Sequence, residues 1–231
     1  MDYIAHNIEE IREKMAKAAA RCGRPIDEIL LLAVSKTFPA ELIARAADAG
    51  IRMFGENRVQ EAENKIAQVA GLPGIQWHLI GHLQTNKARR AAELFDVVHS
   101  IDSVKLASRL DQTSLGAGKI LSVLIQVDLG GEETKFGTDP AQIREIVSAM
   151  PGFRNLRLDG LMIIPPLFEN PDQVRPYFAR LREIRDELEA EQPGCLGMKH
   201  LSMGMSHDFE QAIEEGATIL RIGTAIFGKR S

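Results

Sequence analysis

The sequence predicts a (β/α)8 barrel preceded by one amphipathic helix. Eight short apolar runs recur along the chain, each followed by Gly, Ser, Asn or Pro punctuation and then an amphipathic stretch. Strands that alternate with helices pair in parallel, because each helical crossover returns the chain to the same end of the sheet. The first run continues as Val34-Ser35-Lys36-Thr37-Phe38-Pro39, without the GxGxxG loop that a doubly wound open sheet would place there. Closure is then the economical arrangement, since a barrel leaves no strand edge exposed.

Taken in order, the opening helix carries Ile4, Ile8, Ile11 and Met15 on one face. Strands are expected at Leu30–Ser35, Met53–Gly55, Trp77–Gly81, Val97–Ile101, Leu121–Asp128, Leu158–Ile164, His200–Met203 and Leu220–Gly223. The helices lie between them; one places Val174, Phe178, Leu181, Ile184 and Leu188 on a shared face. No low-complexity tract or Gly/Pro/Ser-rich linker divides the chain, so residues 1–231 are expected to form a single domain.

Composition narrows the function classes. The chain has 231 residues, 45% hydrophobic and 26% charged, enough for a large core and too apolar for wholesale disorder. Lys and Arg number 28 against 32 Asp and Glu, and 5% of residues are aromatic, so neither a basic footprint nor a base-stacking platform for nucleic acid is available. Cys22 and Cys195 lie far apart without metal-ligand spacing, which argues against both a disulfide framework and a zinc site. The N-terminus lacks a signal-peptide apolar stretch, and the aliphatic run Ile29–Val34 is too short to span a bilayer. A cytoplasmic protein is expected, with no membrane partner and a monomeric state.

In such barrels the reactive groups gather where strands end and helices begin. Lys36 ends the first strand at such a junction; burial would lower its pKa and free the amine to attack a carbonyl. The alternative is a solvent-facing strand-end lysine. After the seventh strand comes Ser202-Met203-Gly204-Met205-Ser206, and after the eighth Gly223-Thr224. Small residues there let backbone N–H groups converge on an anion, and the hydroxyls of Ser202, Ser206 and Thr224 complete the hydrogen bonds. The loops after strands seven and eight form a recurrent phosphate site in this barrel class; singly, they are also ordinary tight turns.

An amine and an anion pocket specify a ligand with a carbonyl at one end and a phosphate at the other. Two candidates follow: pyridoxal 5'-phosphate (PLP), or a phosphosugar in an aldolase-like Schiff-base enzyme. Arg221, two residues before Gly223, favours the first because a cation there meets a pyridine nitrogen; spacing alone does not place the acid or base an aldolase needs. Asn57, in Phe54-Gly55-Glu56-Asn57, would lie against a ring or cap the next helix. His78 and His82 lack the Glu of HExxH, and a hydrogen-bonded core histidine is the better reading of His78. Lys135, in a polar loop after the fifth strand, and Lys87 are rival amines. Two apparent motifs are set aside. Gly116-Ala117-Gly118-Lys119 lacks the first glycine and final Ser/Thr of a P-loop, and Ser206-His207-Asp208 are too close in sequence for a triad.

These residues belong to longer motifs: LLAVSKT around Lys36, FGENRVQE from Phe54, WHLIGHLQTNK from Trp77, GLMIIPP from Gly160, and LSMGMSHDFEQAIEEGATILRIGTAIFG from Leu201. In these, almost end to end, the chain resembles the YggS/PROSC family of PLP homeostasis proteins. The resemblance implies a fold type III barrel similar to the N-terminal domain of alanine racemase, with PLP held as an aldimine on Lys36. It implies that Ser206, Gly223 and Thr224 hold the phosphate, that Arg221 faces the pyridine nitrogen and that Asn57 lies beside the ring. Arg58 and His82 depart from the family's usual residues at the rim.

A permanently charged arginine keeps the ring nitrogen unprotonated and weakens the ring as an electron sink. The chain is also expected to lack the second domain whose tyrosine serves racemases as the opposite base. The expectation is therefore a PLP carrier rather than an enzyme, with PLP-dependent apoenzymes as transient acceptors. A small amino-acid racemase is the competing reading.

Overall fold

The computed structural model describes residues 2–130, 137–192 and 197–229. The chain opens with α1 (Tyr3–Arg21), which starts where the Asp2 carboxylate accepts the Ile4 N–H. Then come β1 (Leu30–Val34), α2 (Ala40–Asp48), β2 (Met53–Glu56), α3 (Val59–Gln68), β3 (Gln76–Leu79) and α4 (Ala88–Leu94). The middle contributes β4 (Val97–Ile101), α5 (Val104–Gly116), β5 (Leu121–Val127), α6 (Pro140–Ala149) and β6 (Leu156–Ile163). The last elements are α7 (Arg175–Glu191), β7 (His200–Ser202), α8 (Phe209–Glu214), β8 (Ile219–Ile222) and the single turn α9 (Thr224–Phe227).

The strands form a closed parallel barrel in chain order, β1 to β8, with Leu32 of β1 in register with Arg221 of β8. All eight expected strands are present, with ends within two residues of the predicted ones. The two-residue shifts are at the end of β3, which stops at Leu79, and at the start of β6, which begins at Leu156 because that residue pairs with Leu121. Strand alternation sorts the apolar residues into two cores. Leu32, Val34, Ile80, Leu124, Met162 and Ile219 fill the barrel interior, whereas their outward neighbours Leu31, Ala33, Leu220 and Ile222 pack beneath the helices.

The predicted helix faces are the buried ones: Ile4, Ile8, Ile11 and Met15 in α1, and Phe178, Leu181, Ile184 and Leu188 in α7. Against the barrel, α1 covers the seam where the last βα unit meets the first, packing on α8, α9 and α2. Asn7 Nδ2 donates to Ile226 O (2.9 Å), and Arg21 bridges to Glu210 and Glu214. No described helix is long and apolar enough to cross a membrane.

Candidate functional site at the barrel mouth

The loops at the C-terminal ends of the strands enclose a cavity of about 880 Å³, a size suited to a small-molecule ligand. One wall is the end of β1, with Val34 and Lys36. Next to it stand Arg221, Gly223 and Thr224 from β8 and its loop, and Met205, Ser206 and Asp208 from the loop after β7. On the other side of β1, the loops after β2 and β3 contribute Asn57, Arg58, His82, Gln84 and Lys87, with Ile164 and Leu167 after β6 as an apolar rim.

Closure of the barrel puts the amine and the proposed anion pocket side by side. Because β8 pairs with β1, Gly223 abuts Val34, where a Cβ would come within 3.3 Å of the Val34 carbonyl. Half-buried Lys36 follows two residues later in a turn. The next residue, Thr37, takes φ +68°, the one positive φ at a described non-glycine residue. For a β-branched residue this conformation is costly. Ser206 Oγ accepts the Ala225 N–H at 3.3 Å and so ties the loops after β7 and β8 together. Asp208 Oδ1 accepts the Met205 N–H (2.6 Å), which shapes the first of those loops, and burial pushes this carboxyl up.

Arg221 shows how alternation builds the floor. Like Ile219, it points into the barrel, where it is almost entirely buried. Its Nη1 donates to Ser202 O (2.6 Å) and Ser202 Oγ (2.8 Å), and its Nη2 to Ile163 O (2.7 Å). Burial lowers its pKa to about 10, so it stays cationic at neutral pH.

Here the structure departs from the expected ligand set. Ser202 is the last residue of β7, fully buried and outside the cavity lining; its hydroxyl serves Arg221 and His99 instead. Gly204 is likewise behind the wall, packed so closely that a Cβ would sit 2.5 Å from Ala212 Cβ. The remaining predicted residues, Lys36, Asn57, Met205, Ser206, Arg221, Gly223 and Thr224, all line the one cavity. Asn57 is not a helix cap, since α3 is capped at Arg58. Lys87, in the segment after β3, also lines the cavity, and Lys135 lies outside the described residues. His207 contacts Glu169 O while Asp208 serves Met205, so Ser206-His207-Asp208 forms no triad.

Sequence reading missed the chain of groups behind Arg221, for which no local signal exists. His99 Nδ1 lies 3.0 Å from Ser202 Oγ, and His99 Nε2 lies 2.9 Å from His78 Nδ1. A guanidinium only donates, and assigning the Ser202 hydrogen to His99 Nδ1 passes one donor along to His78. Burial drives the His78 pKa down to about 3 and that of His99 well below its ordinary value, so both are neutral. His78 is thus a hydrogen-bonded core histidine, and His82 stands apart at the rim, 3.3 Å from Asp102 Oδ2.

Gly81 fixes the position of Asn57. A Cβ there would lie 2.3 Å from the Asn57 carbonyl oxygen, closer than atoms can approach. Gly81→Ala is expected to displace that segment and cost ~1–3 kcal/mol, read as a lower urea midpoint, whereas Asn57→Ala leaves the midpoint nearly unchanged.

Fold and cavity together define a (β/α)8 barrel with Lys36, Arg221 and the hydroxyls of Ser206 and Thr224 gathered at its C-terminal mouth. Residues 1–231 match the family described as alanine racemase, N-terminal domain. Proteins named pyridoxal phosphate homeostasis protein are 45% identical in Aquifex aeolicus (strain VF5), over 96% of both chains, and 45% identical in Escherichia coli (strain K12), over 100% of this chain and 98% of that one. PipY of Synechococcus elongatus PCC7942, solved with PLP bound, superposes with TM-score 0.87 at 40% identity, covering 97% of this chain and 100% of PipY. Alanine racemase from Corynebacterium glutamicum shares the fold, with TM-score 0.71 at 18% identity over 61% of its length. The chain belongs to the family of pyridoxal phosphate homeostasis proteins.

Proposed function

We propose that this protein holds PLP at the barrel mouth and acts in its homeostasis, sequestering the reactive aldehyde and delivering it to PLP-dependent apoenzymes. The observation that carries this reading is the convergence of Lys36, Ser206, Thr224 and Arg221 on one cavity in a chain 45% identical to PLP homeostasis proteins. The chemistry of these groups fits the cofactor: an amine for its aldehyde, hydroxyls for its phosphate and a buried cation for its ring nitrogen. When bound, PLP supplies an electrophilic carbonyl and a conjugated ring.

Lys36 is the covalent anchor, and Ser206, Gly223 and Thr224 take the phosphate, with Met205 closing that wall. Arg221 is fixed by acceptors on β6 and β7 and cannot give up its proton at neutral pH. It therefore holds the ring nitrogen as a hydrogen-bond acceptor and restrains carbanion chemistry. Asn57 borders the ring. Ser202 and Gly204 support this set from behind: Ser202 through Arg221, and Gly204 through its carbonyl, which accepts the Arg221 N–H. The protein works in the cytoplasm as a monomer, without a substrate reaction of its own.

The test is transfer of PLP from the loaded protein to an apoenzyme in the presence of a trap for free PLP. Transfer that outruns trapping supports delivery by contact; transfer abolished by the trap rejects it. α-Proton exchange of L-alanine in deuterated water at enzyme-like, Lys36-dependent rates would replace this reading with that of a racemase.

A further inference from the structure

We propose that Lys65, clasped between Glu56 and Glu61, is a positioning residue that aims the Lys36 amine. This rests on the reading of Lys36 as the anchor for PLP. Lys65 lies on α3, buried to 7% exposure, and its Nζ makes three short contacts. It donates to the Ser35 carbonyl (2.7 Å), to Glu56 Oε1 (2.8 Å) and to Glu61 Oε1 (2.7 Å). Ser35 Oγ adds a bond to Glu56 Oε1 at 2.6 Å, and the Thr37 N–H donates to Glu61 Oε1 at 2.5 Å. Both residues that flank Lys36 are therefore held by one ion cluster, supplied by the second βα unit.

The arrangement is poorly explained by stability alone. A buried ion pair gains little over well-packed apolar residues, because desolvation offsets the attraction. This cluster instead spends a third ammonium hydrogen on the backbone of the turn. That turn contains the unfavourable φ of Thr37, and such strain persists only where surrounding contacts over-determine it. Without the Glu61 bond, Thr37 would relax towards negative φ, rotating the Lys36–Thr37 peptide and swinging the lysine stem. With it, the amine has less freedom to lose on bonding to a carbonyl, the ordinary benefit of pre-organisation. The local sequence signal is the Glu61/Lys65 pair one helical turn apart.

The experiment is a double-mutant cycle in the full chain. Glu61→Ala and Lys65→Met are each made with Lys36 present and in the Lys36→Ala background. Glu61→Ala leaves the Lys65–Glu56 pair in place and decides the matter if Lys65→Met does not fold by circular dichroism. PLP affinity is measured by equilibrium dialysis, and borohydride-stable pyridoxyl on Lys36 by peptide mass spectrometry. With Lys36 present, each substitution is expected to weaken PLP binding ~10-fold and slow labelling of Lys36; in the Lys36→Ala background the effect should fall below ~2-fold. Equal losses in both backgrounds would mean that the cluster merely supports the whole mouth, and the proposal fails. Unchanged affinity and labelling in Glu61→Ala also overturn it. A wild-type chain unlabelled at Lys36 would reject the anchor assignment itself, and the proposal with it.

Discussion

Replacing Lys36 by alanine is expected to abolish the borohydride-stable cofactor label and the yellow colour of the loaded protein. Retention of PLP should weaken by about two orders of magnitude, roughly 3 kcal/mol, because only the phosphate and ring contacts remain. Lys36→Arg separates charge from nucleophilicity: a guanidinium keeps the cation but does not form the bond, so it should fail in the same way. Neither change should lower the melting temperature appreciably, since Lys36 sits half-buried in a turn at the rim. A label that persists on Lys87 or Lys135 in the Lys36→Ala protein would show that the anchor lies elsewhere.

Mild acid should destabilise the fold, with a loss that sets in near pH 6.5 and steepens towards pH 5. His78 is held near a pKa of about 3, against 6.5 for an ordinary histidine, and His99 is also strongly depressed. In that window the unfolded chain binds protons that the folded chain refuses, so stability falls as pH falls. Proton uptake by the unfolded chain at His78 alone removes about 2 kcal/mol by pH 5, and His99 adds to the loss in the same direction. Partly buried His200 shifts in the same direction. Depressed carboxyls such as Glu61 add to the loss only nearer pH 4, while Glu56 and Asp208, raised by burial, oppose it from above the ordinary carboxylate range. Urea midpoints at pH 7, 6 and 5 measure the slope. His78→Gln should flatten it, at some cost in stability at pH 7, and a midpoint that does not move between pH 7 and 5 would contradict the neutral-histidine interior.

Much of the site was legible because strand ends in this barrel are functional positions by construction. Lys36, Asn57, Ser206, Arg221 and Thr224 each follow or end an apolar run, so the periodicity that located the strands also located these residues at the mouth. Ser202 and Gly204 were placed there by the same logic, and the structure moves them behind the wall. β7 continues through Ser202, and alternation turns its hydroxyl inward beneath the cavity. Within a strand, the parity of a residue decides whether its side chain enters the barrel interior or faces the helices. His99 carried no comparable signal and Lys65 only its spacing from Glu61: a histidine within an apolar strand and a lysine on an amphipathic helix are unremarkable until their partners are known.

By itself the sequence determined the order of strands and helices, the closed parallel arrangement and the family, because hydrophobic period, punctuation and extended motifs are local properties of the chain. Only the tertiary structure decided which polar groups meet. Ser35, Glu56, Glu61 and Lys65 come from two βα units, and His78, His99, Ser202 and Arg221 from four strands, joined only when the barrel closes. Burial, which sets the charge state of the two histidines and obliges every ion to find a partner, is a property of that closed arrangement and not of any stretch of sequence.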